Sequence, residues 1–599
     1  MKDRSTNMHC SNRISIGDAA ARFALTLCAS LAAGGAWAQA SSSIERYAPP
    51  VVTIGANGAI HATDSGIERR EADKDRVLIP QLKGLVFVDS PKAVKKKGAK
   101  SQGIVVAASA EAVPDAAIAA ASCFLGGAVT LGALDKLTRD LVLAYRSADR
   151  PVVNVVVPEQ EITSGVIQIL VVVGRLGEVR VEGASAANVD ALTGAIRLER
   201  GRPISEGQLL EDLRYLNRNP FRRVDALYQP GKTFGQTDIV LQTIEDKPWT
   251  VYGGIETKGG KGPLGDLRPF VGAMESNLLG LGEVLGYQYT TSAKKIRDLQ
   301  SHVVSARLPL WARWEFQGVV GYTHTRADLG DTLRQSGYSV MTGGYFVTPL
   351  RRWGAWAQDF RFGAEYKSTN NNLDYSGQTV TNGRPEIFQG VIGYAGEGML
   401  LPETKTRLDV AIYGSPGGLT PNNKGTMFEQ LRAYTHASYF YVKATLDNRS
   451  ELPFGWRLLT NFQGQYASVN LLPTETLTLG GLGSVRGFAY GIGRSDSGLL
   501  GSATLYTPAL NPLGAVLAGR GGLMDELRAY VFFDHGSGWI HKTLPSERRY
   551  IGLSGAGLGL AYEFSKYVSF DVGYGWRVQR TGVDDHSKGR AHFRLVARF

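Results

Sequence analysis

Cysteine is almost absent: three in 599 residues, at Cys10, Cys28 and Cys123. The first two lie in a stretch that reads as a removable leader, so the mature chain keeps Cys123 alone. Neither an intrachain disulfide nor a cysteine-based metal site is then available. Long apolar runs are missing too. After residue 40 no stretch reaches the ~18 consecutive apolar residues of a spanning helix, which excludes a helical membrane protein. Catalytic signatures are also lacking: there is no G-x-S-x-G, H-E-x-x-H or phosphate-loop lysine motif, and the nine histidines have no ligand spacing. Adjacent Asp534 and His535 do not make a catalytic pair, because neighbours on a strand face opposite ways. The expectation is a protein with no catalytic residues, no metal and no cofactor.

What the chain has in abundance is glycine (73) and tyrosine (25), a balance suited to strands and turns. Its length predicts more than one domain. Residues 1–40 carry Arg4, Arg13 and Arg22 ahead of the apolar "FALTLCASLAAGGAWAQA", which ends in small residues. This is the pattern of a secretory signal peptide, and it predicts an exported mature chain. An exported chain of this size without a disulfide needs another source of cohesion, and a closed barrel, which leaves no strand edge unpaired, supplies one. The formal net charge of +11 does not point to nucleic acid, since the basic residues are scattered. The only dense run, Lys92 to Lys100, reads as a solvated loop, with contact to anionic headgroups or an acidic partner as the alternative.

Two textures follow one another. From about Arg76 to Lys247 helices and strands alternate. "VLIPQLKGLVFVDSP" reads as one strand, and "LGALDKLTRDLVLAYRSAD" has the 3.6-residue apolar spacing of a helix. After two strands the order begins again, with a helix "SEGQLLEDLRYLNRNP" capped by Ser205 and two closing strands. The economical reading is two copies of one β-α-α-β-β unit, at 76–175 and 176–247. From 248 to 599 the segments alternate apolar with polar or small residues. In "YVSFDVGYGWRVQ", Val568, Phe570, Val572, Tyr574, Trp576 and Val578 share one face. About sixteen such segments, joined by short turns and a few longer loops, predict a membrane barrel with a greasy exterior and a polar lumen. The closing Phe599 falls in line with the apolar face.

Three motif groups then stand out. "VVPEQEITSGVIQILVVVGRLGEVRVEG" carries Pro158, Gln160, Gly165, Gly174 and Gly177. "GSVRGF" carries Val485, Arg486, Gly487 and Phe488 inside a long glycine-rich loop at about 474–497. "FFDHG" carries Phe532, Asp534 and Gly536. With these residues the chain resembles the two-partner secretion transporters of the outer membrane, the TpsB or haemolysin-activator type, within the superfamily that joins POTRA domains to a barrel. The resemblance covers about Leu78 to Phe599.

It implies a fold of two α+β POTRA domains followed by a 16-stranded membrane β-barrel, with the sixth outer loop folded back into the lumen. It implies that Arg486 meets Asp534 there, and alternation on "ELRAYVFFD" does turn Asp534 inward. Relatives often carry a Glu on the strand after the loop. Here Ser502 and Thr504 stand there instead, which puts any three-way network around Arg486 in doubt. The implied work is export of an unfolded exoprotein caught by the POTRA domains. Their strand edges are expected to take an extended segment by β-augmentation, with the groove formed by the second helix and strand of each unit, around Leu137, Leu141 and Tyr145 and around Leu209, Leu213 and Leu216, as the receiving surface. The implied partners are that exoprotein, outer-membrane lipid and the barrel-assembly machinery that inserts the chain. The rival reading, an assembly insertase of the same superfamily, is disfavoured by two POTRA units and by the Pro-x-Gln motif. Residues 41–75 hold Pro49 and Pro50 and a short charged "SGIERREADKDR". They read as a disordered linker, with a barrel-plugging helix as the alternative.

Overall fold

The computed structural model describes Ile60–His61 and residues 75–599, apart from 109–111, 259–263, 329–332, 376–377, 382, 518–523, 546 and 584–586. The predicted leader and nearly all of the linker or plug segment fall outside the described residues. Contacts divide the chain into two units, one ending at Asp246 and one running from Lys247 to Phe599.

The first unit holds two α+β modules. In the first, β1 (Gly84–Val88), β2 (Gly103–Val106), β3 (Val153–Val156) and β4 (Val166–Val173) form a sheet in the order β2-β1-β4-β3. It is packed by α1 (Asp115–Ser122) and α2 (Leu131–Ser147), whose N-terminus is capped by Thr130 Oγ1 accepting from Ala133 N–H at 3.1 Å. The single strand expected over residues 77–91 is divided: Val77–Ile79 pairs separately with Val129–Thr130, and Pro80 lies between it and β1. The second module has β5 (Arg175–Glu182), α3 (Ala186–Gly194), α4 (Glu206–Leu216), β6 (Arg222–Pro230) and β7 (Gln236–Glu245). Strand β7 lies between β6 and β5, and Ile60–His61 adds to the outer side of β6 in parallel. Asp149, at the end of α2, joins the modules: it accepts from Ser205 Oγ and from Gly207 N–H at the start of α4.

Burial corrects one expectation. Leu137, Leu141 and Tyr145 and, in the second module, Leu209, Leu213 and Leu216 are at most 4 % exposed and lie inside the two hydrophobic cores. The apolar stripe that made each helix recognisable is the face that closes its module, so these six side chains are not a surface for substrate. Burying a leucine of this kind stabilises a module by ~1.5–3 kcal/mol.

The residues of the Pro-x-Gln motif act within the same sheet. Gln160 Nε2 donates to the carbonyls of Pro158 (3.1 Å) and Gln168 (2.7 Å), and Gln160 Oε1 accepts from Gln168 N–H at 2.7 Å. Its amide thus stands in for a missing strand neighbour along β4. Gly165 has φ +78, and a Cβ at Gly174 would lie 2.7 Å from Val152 Cγ1 at the module junction.

The second unit is a closed antiparallel barrel. Its strands are β8 (Trp249–Thr257), β9 (Leu267–Ser276), β10 (Val284–Thr291), β11 (Leu299–Pro309), β12 (Glu315–Asp328), β13 (Leu333–Trp353), β14 (Trp356–Tyr375) and β15 (Glu386–Leu401). They continue with β16 (Thr404–Pro416), β17 (Ser438–Glu451), β18 (Arg457–Ala467), β19 (Ser497–Tyr506), β20 (Asp525–Trp539), β21 (Tyr550–Phe564), β22 (Val568–Thr581) and β23 (Gly589–Arg598). These sixteen form the wall, with Gln378–Thr381 adding only a short hairpin to β14. Strand β8 pairs with β23, and Val251 and Phe599 exchange backbone hydrogen bonds at the seam while the Phe599 ring stays exposed.

Outward positions carry an apolar band that includes Val271, Val320, Ile392, Ile412, Phe462 and Val531, all exposed. Most turns at the end bearing Trp249 are short, as at 354–355 and 402–403, and Trp311, Trp353 and Phe454 ring that end. The opposite end has the long connections, 417–437 and 468–496.

The lumen departs from the polar interior expected. Two apolar clusters fill part of it where the long connections turn inward. One joins Phe428, Leu471 and Leu472 to Tyr413, Tyr439 and Tyr441; the other joins Leu477, Leu479, Val485 and Phe488 to Leu500, Ile551 and Leu553. Once these segments enter the barrel, the inward faces they touch pack like a core.

Candidate functional site: the inward loop and its seat

Residues 468–496 join β18 to β19. Instead of projecting outward, the segment folds into a small hairpin, Leu477–Leu479 against Gly493–Ser495, whose tip carries Val485 to Phe488. Strand β20 presents Asp534 to the lumen because its outward positions, Val531 and Phe533, are exposed and its inward ones, Tyr530, Phe532 and Asp534, are buried.

Asp534 is fully buried and receives three hydrogen bonds from Arg486: backbone N–H to Oδ2 at 2.9 Å, Nε to Oδ2 at 2.8 Å and Nη2 to Oδ1 at 2.7 Å. The two Arg–carboxylate side-chain bonds make a bidentate fork, a geometry lysine cannot reproduce. The guanidinium also lies 3.6 Å from the centroid of the Phe532 ring.

The carboxylate missing after the loop is replaced by hydroxyls. Arg486 Nη2 donates to Ser502 Oγ at 3.1 Å and Thr504 Oγ1 at 2.9 Å, and Ser502 Oγ donates to Asp534 Oδ1 at 2.7 Å. A three-way network therefore exists without a second acid. Ser502 sits directly across from Asp534 in the β19–β20 register, which fixes this arrangement.

Two further side chains hold the tip, and neither stood out in the sequence. His592 on β23 accepts from Gly487 N–H at 3.0 Å through Nε2, and Arg577 on β22 donates Nε–H to the Gly487 carbonyl at 2.8 Å while lying 4.7 Å from the Phe488 ring. Val485 and Phe488 are completely buried.

The wall is flat where the tip lies. A Cβ at Gly555 would approach the Arg486 carbonyl to 2.0 Å, and one at Gly575 would come within 2.5 Å of Gly487 N; Gly487 itself has φ +95. Gly536 completes the seat, for a Cβ there would crowd Leu479, Val485 and Leu500. The signal that could have found His592, Gly555 and Gly575 is their inward phase on strands that alternation had already identified. Among the described residues, no group of acidic, histidine and cysteine side chains has the arrangement of a metal site.

An apolar-banded closed barrel, preceded by two α+β modules and occupied by its own docked loop, defines a class: an outer-membrane barrel of the POTRA-bearing type. The profile of the family described as "Haemolysin secretion/activation protein ShlB/FhaC/HecB" matches residues 235–562. The heme/hemopexin transporter protein HuxB of Haemophilus influenzae (strain 86-028NP) is 23 % identical over 468 residues, 75 % of this chain and 78 % of its own. The outer membrane transporter CdiB-2 of Burkholderia pseudomallei (strain 1026b) is 22 % identical over 487 residues, 76 % of this chain and 74 % of its own. The solved structure of CdiB from Escherichia coli superposes with a TM-score of 0.66 at 16 % identity, covering 98 % of this chain and 99 % of that one.

The chain belongs to the ShlB/FhaC/HecB family, the two-partner secretion transporters. It is an outer-membrane β-barrel that exports exoproteins rather than assembling other barrels, with its POTRA modules in the periplasm. The Trp249 end of the barrel is then periplasmic, and residues 468–496 form the sixth extracellular connection.

Proposed function

We propose that this transporter serves one cognate exoprotein, taking it as an extended chain along the sheet edges of its periplasmic modules and passing it through the lumen once the Arg486 tip has moved. The barrel performs no bond-making chemistry on this reading. No nucleotide is available outside the inner membrane, so the driving force is folding of the cargo at the cell surface. The barrel-assembly machinery inserts the transporter itself.

Support for edge capture comes from the chain's own backbone. Ile60–His61 adds to β6 in parallel, so this edge accepts an extended segment, and the outer strands β2 and β3 of the first sheet expose Val105, Val106 and Val156. These edges replace the buried helix residues as the receiving surface.

The single observation that carries the loop's part is the five-residue grip on its tip: Asp534, Ser502, Thr504, Arg577 and His592, drawn from four strands, all bond to Arg486 or Gly487. A seat built from so many wall positions indicates a contact the transport cycle uses. The test is deletion of the gene followed by comparison of secreted and surface proteins, with Arg486→Ala as the point variant. Loss of one large exoprotein with normal porin levels is the expected result. General loss of porins, or normal export by Arg486→Ala, would overturn the reading.

A further inference from the structure

The tip is not the only charged contact between the inward loop and the wall. At the start of the hairpin, Glu475 is buried against strands that take no part in the tip's seat. Its Oε1 and Oε2 each accept from Lys367 Nζ on β14 at 3.1 Å, and Oε2 also accepts from Gln389 Nε2 on β15 at 3.1 Å and Tyr441 Oη on β17 at 2.6 Å. Lys367 and Gln389 are shared with a second carboxylate: Glu365 Oε2 lies 2.7 Å from Lys367 Nζ and accepts from Gln389 Nε2 at 2.8 Å. Glu365, Lys367, Gln389 and Glu475 are all at most 4 % exposed.

On the returning side, Asp496 is fully buried and bound by Arg432, with Leu471 N–H (2.8 Å) and His541 N–H (3.0 Å) also donating to it. Gln465 Nε2 links the two stems by donating to the carbonyls of both Glu475 (3.0 Å) and Asp496 (2.9 Å).

The Glu475 side chain therefore stands on β14, β15 and β17, and Gln465 on β18 and Arg432 of the 417–437 connection hold the rest of the stem, while the tip is seated on β19, β20, β22 and β23. We infer that Lys367 and Glu475 are positioning residues that hold the loop across the lumen as a strap fixed to the wall at its stem as well as at its tip, so that the resting pore stays shut even when the tip contact alone is weakened. The inference deepens the export reading and rests on it.

The chemistry of the triad makes the idea specific. One ammonium, Lys367, bonds directly to both buried carboxylates, while the Lys443 ammonium, over the Tyr413 and Tyr441 rings, reaches Glu475 only at longer range. Removing the Lys367 ammonium leaves two like charges side by side in a poorly hydrated site and drives the stem off the wall. Removing the Glu475 charge leaves the Glu365–Lys367 pair whole. Lys367→Met must then be worse than Glu475→Gln, and the double variant, which has lost the opposed carboxylate, must be better than Lys367→Met alone. A site whose only role is packing gives no reason for the second substitution to repair the first.

The experiment measures single-channel conductance of the purified full-length protein in planar lipid bilayers, with heat-modifiable gel migration as the check that the barrel is folded. Lys367→Met is expected to raise the ratio of open to closed time at least ~100-fold, the low end of what a stranded buried charge gives. Glu475→Gln is expected to raise it less, and Lys367→Met/Glu475→Gln to fall below Lys367→Met. Wild-type gating in Lys367→Met, or a double variant as leaky as Lys367→Met, would overturn the inference. Should Lys367→Met fail to insert, wild-type gating in Glu475→Gln does the same. No exoprotein is present in this assay, so its failure leaves the export reading standing, whereas failure of that reading appears as normal secretion by Arg486→Ala in cells.

Discussion

Asp534→Asn isolates the charge at the tip's seat while keeping its shape. The wild-type carboxylate accepts four hydrogen bonds, three from Arg486 and one from Ser502, and it is fully buried while Arg486 is 12 % exposed. Stranding one member of a buried pair costs ~3–5 kcal/mol. Arg486 would keep Ser502, Thr504 and the Phe532 face, which lowers the expected loss of tip docking to ~2–4 kcal/mol. At ~1.4 kcal/mol per decade this shifts the docked-to-released ratio about 30- to 700-fold. The assay uses a feature of the tip itself: Arg486 is a trypsin site that the docked state covers. Intact cells treated with trypsin should yield a fragment beginning at Gly487 far faster from Asp534→Asn than from wild type, and export of the exoprotein should fall in parallel. Equal cleavage after Arg486 in both proteins, with the barrel folded, would refute the assignment of Asp534 as the group that holds the tip down.

Other expectations are as direct. Gly555→Ala places a methyl 2.0 Å from the Arg486 carbonyl, so it should release the tip at a cost of ~1–3 kcal/mol and reproduce the Asp534→Asn cleavage pattern without touching a charge. Gln160→Ala should cost the first module ~1–3 kcal/mol, read by urea unfolding of the full-length protein in detergent, because Gln168 N–H and the Pro158 and Gln168 carbonyls lose their partner. Asp149→Ala should loosen the module junction by ~1–2 kcal/mol, seen as faster limited proteolysis between residues 148 and 205, since the start of α4 loses its acceptor. Leu141→Ala should cost ~2–5 kcal/mol of module stability, the signature of a core position; a selective loss of exoprotein binding in a stable module would restore the groove reading.

The barrel was legible because a membrane wall imposes a two-residue period that survives sequence divergence, and the same period gave the inward phase of Asp534 on β20. The α+β repeat was legible from helix periodicity, but that signal marks a buried face and cannot also mark a binding face, which is why Leu137 and Leu213 lie in cores and line no groove. The strap was hidden for a different reason. Glu475 is 108 residues from Lys367 along the chain, and nothing in the spacing of two isolated charges shows that a loop will turn inward and bring them to 3.1 Å. The same holds for Gly487 and His592, 105 residues apart. Hydroxyls can take the role of a carboxylate at Ser502 and Thr504 because Arg486 already has a full counter-charge in Asp534. A second acid in this buried place would add a charge with no partner, and two neutral acceptors share the Nη2 donor group with Asp534 without that cost.

This charge balance bears on how the loop leaves its seat. Arg486 and Asp534 are neutral as a pair, so separating them into a water-filled lumen exchanges protein partners for water on both sides, a change smaller than burying or exposing a lone ion. The greater resistance comes from Val485 and Phe488, which are fully buried and leave an apolar seat of Leu479, Leu500, Ile551 and Leu553 facing water once they depart. A translocating chain that presents apolar side chains to that seat would offset this loss, and a purely polar one would not. Replacing Val485 and Phe488 together by serine should therefore lessen the dependence of export on apolar cargo segments, measured with cargo variants of graded hydrophobicity. An unchanged dependence would remove the apolar seat from the release step.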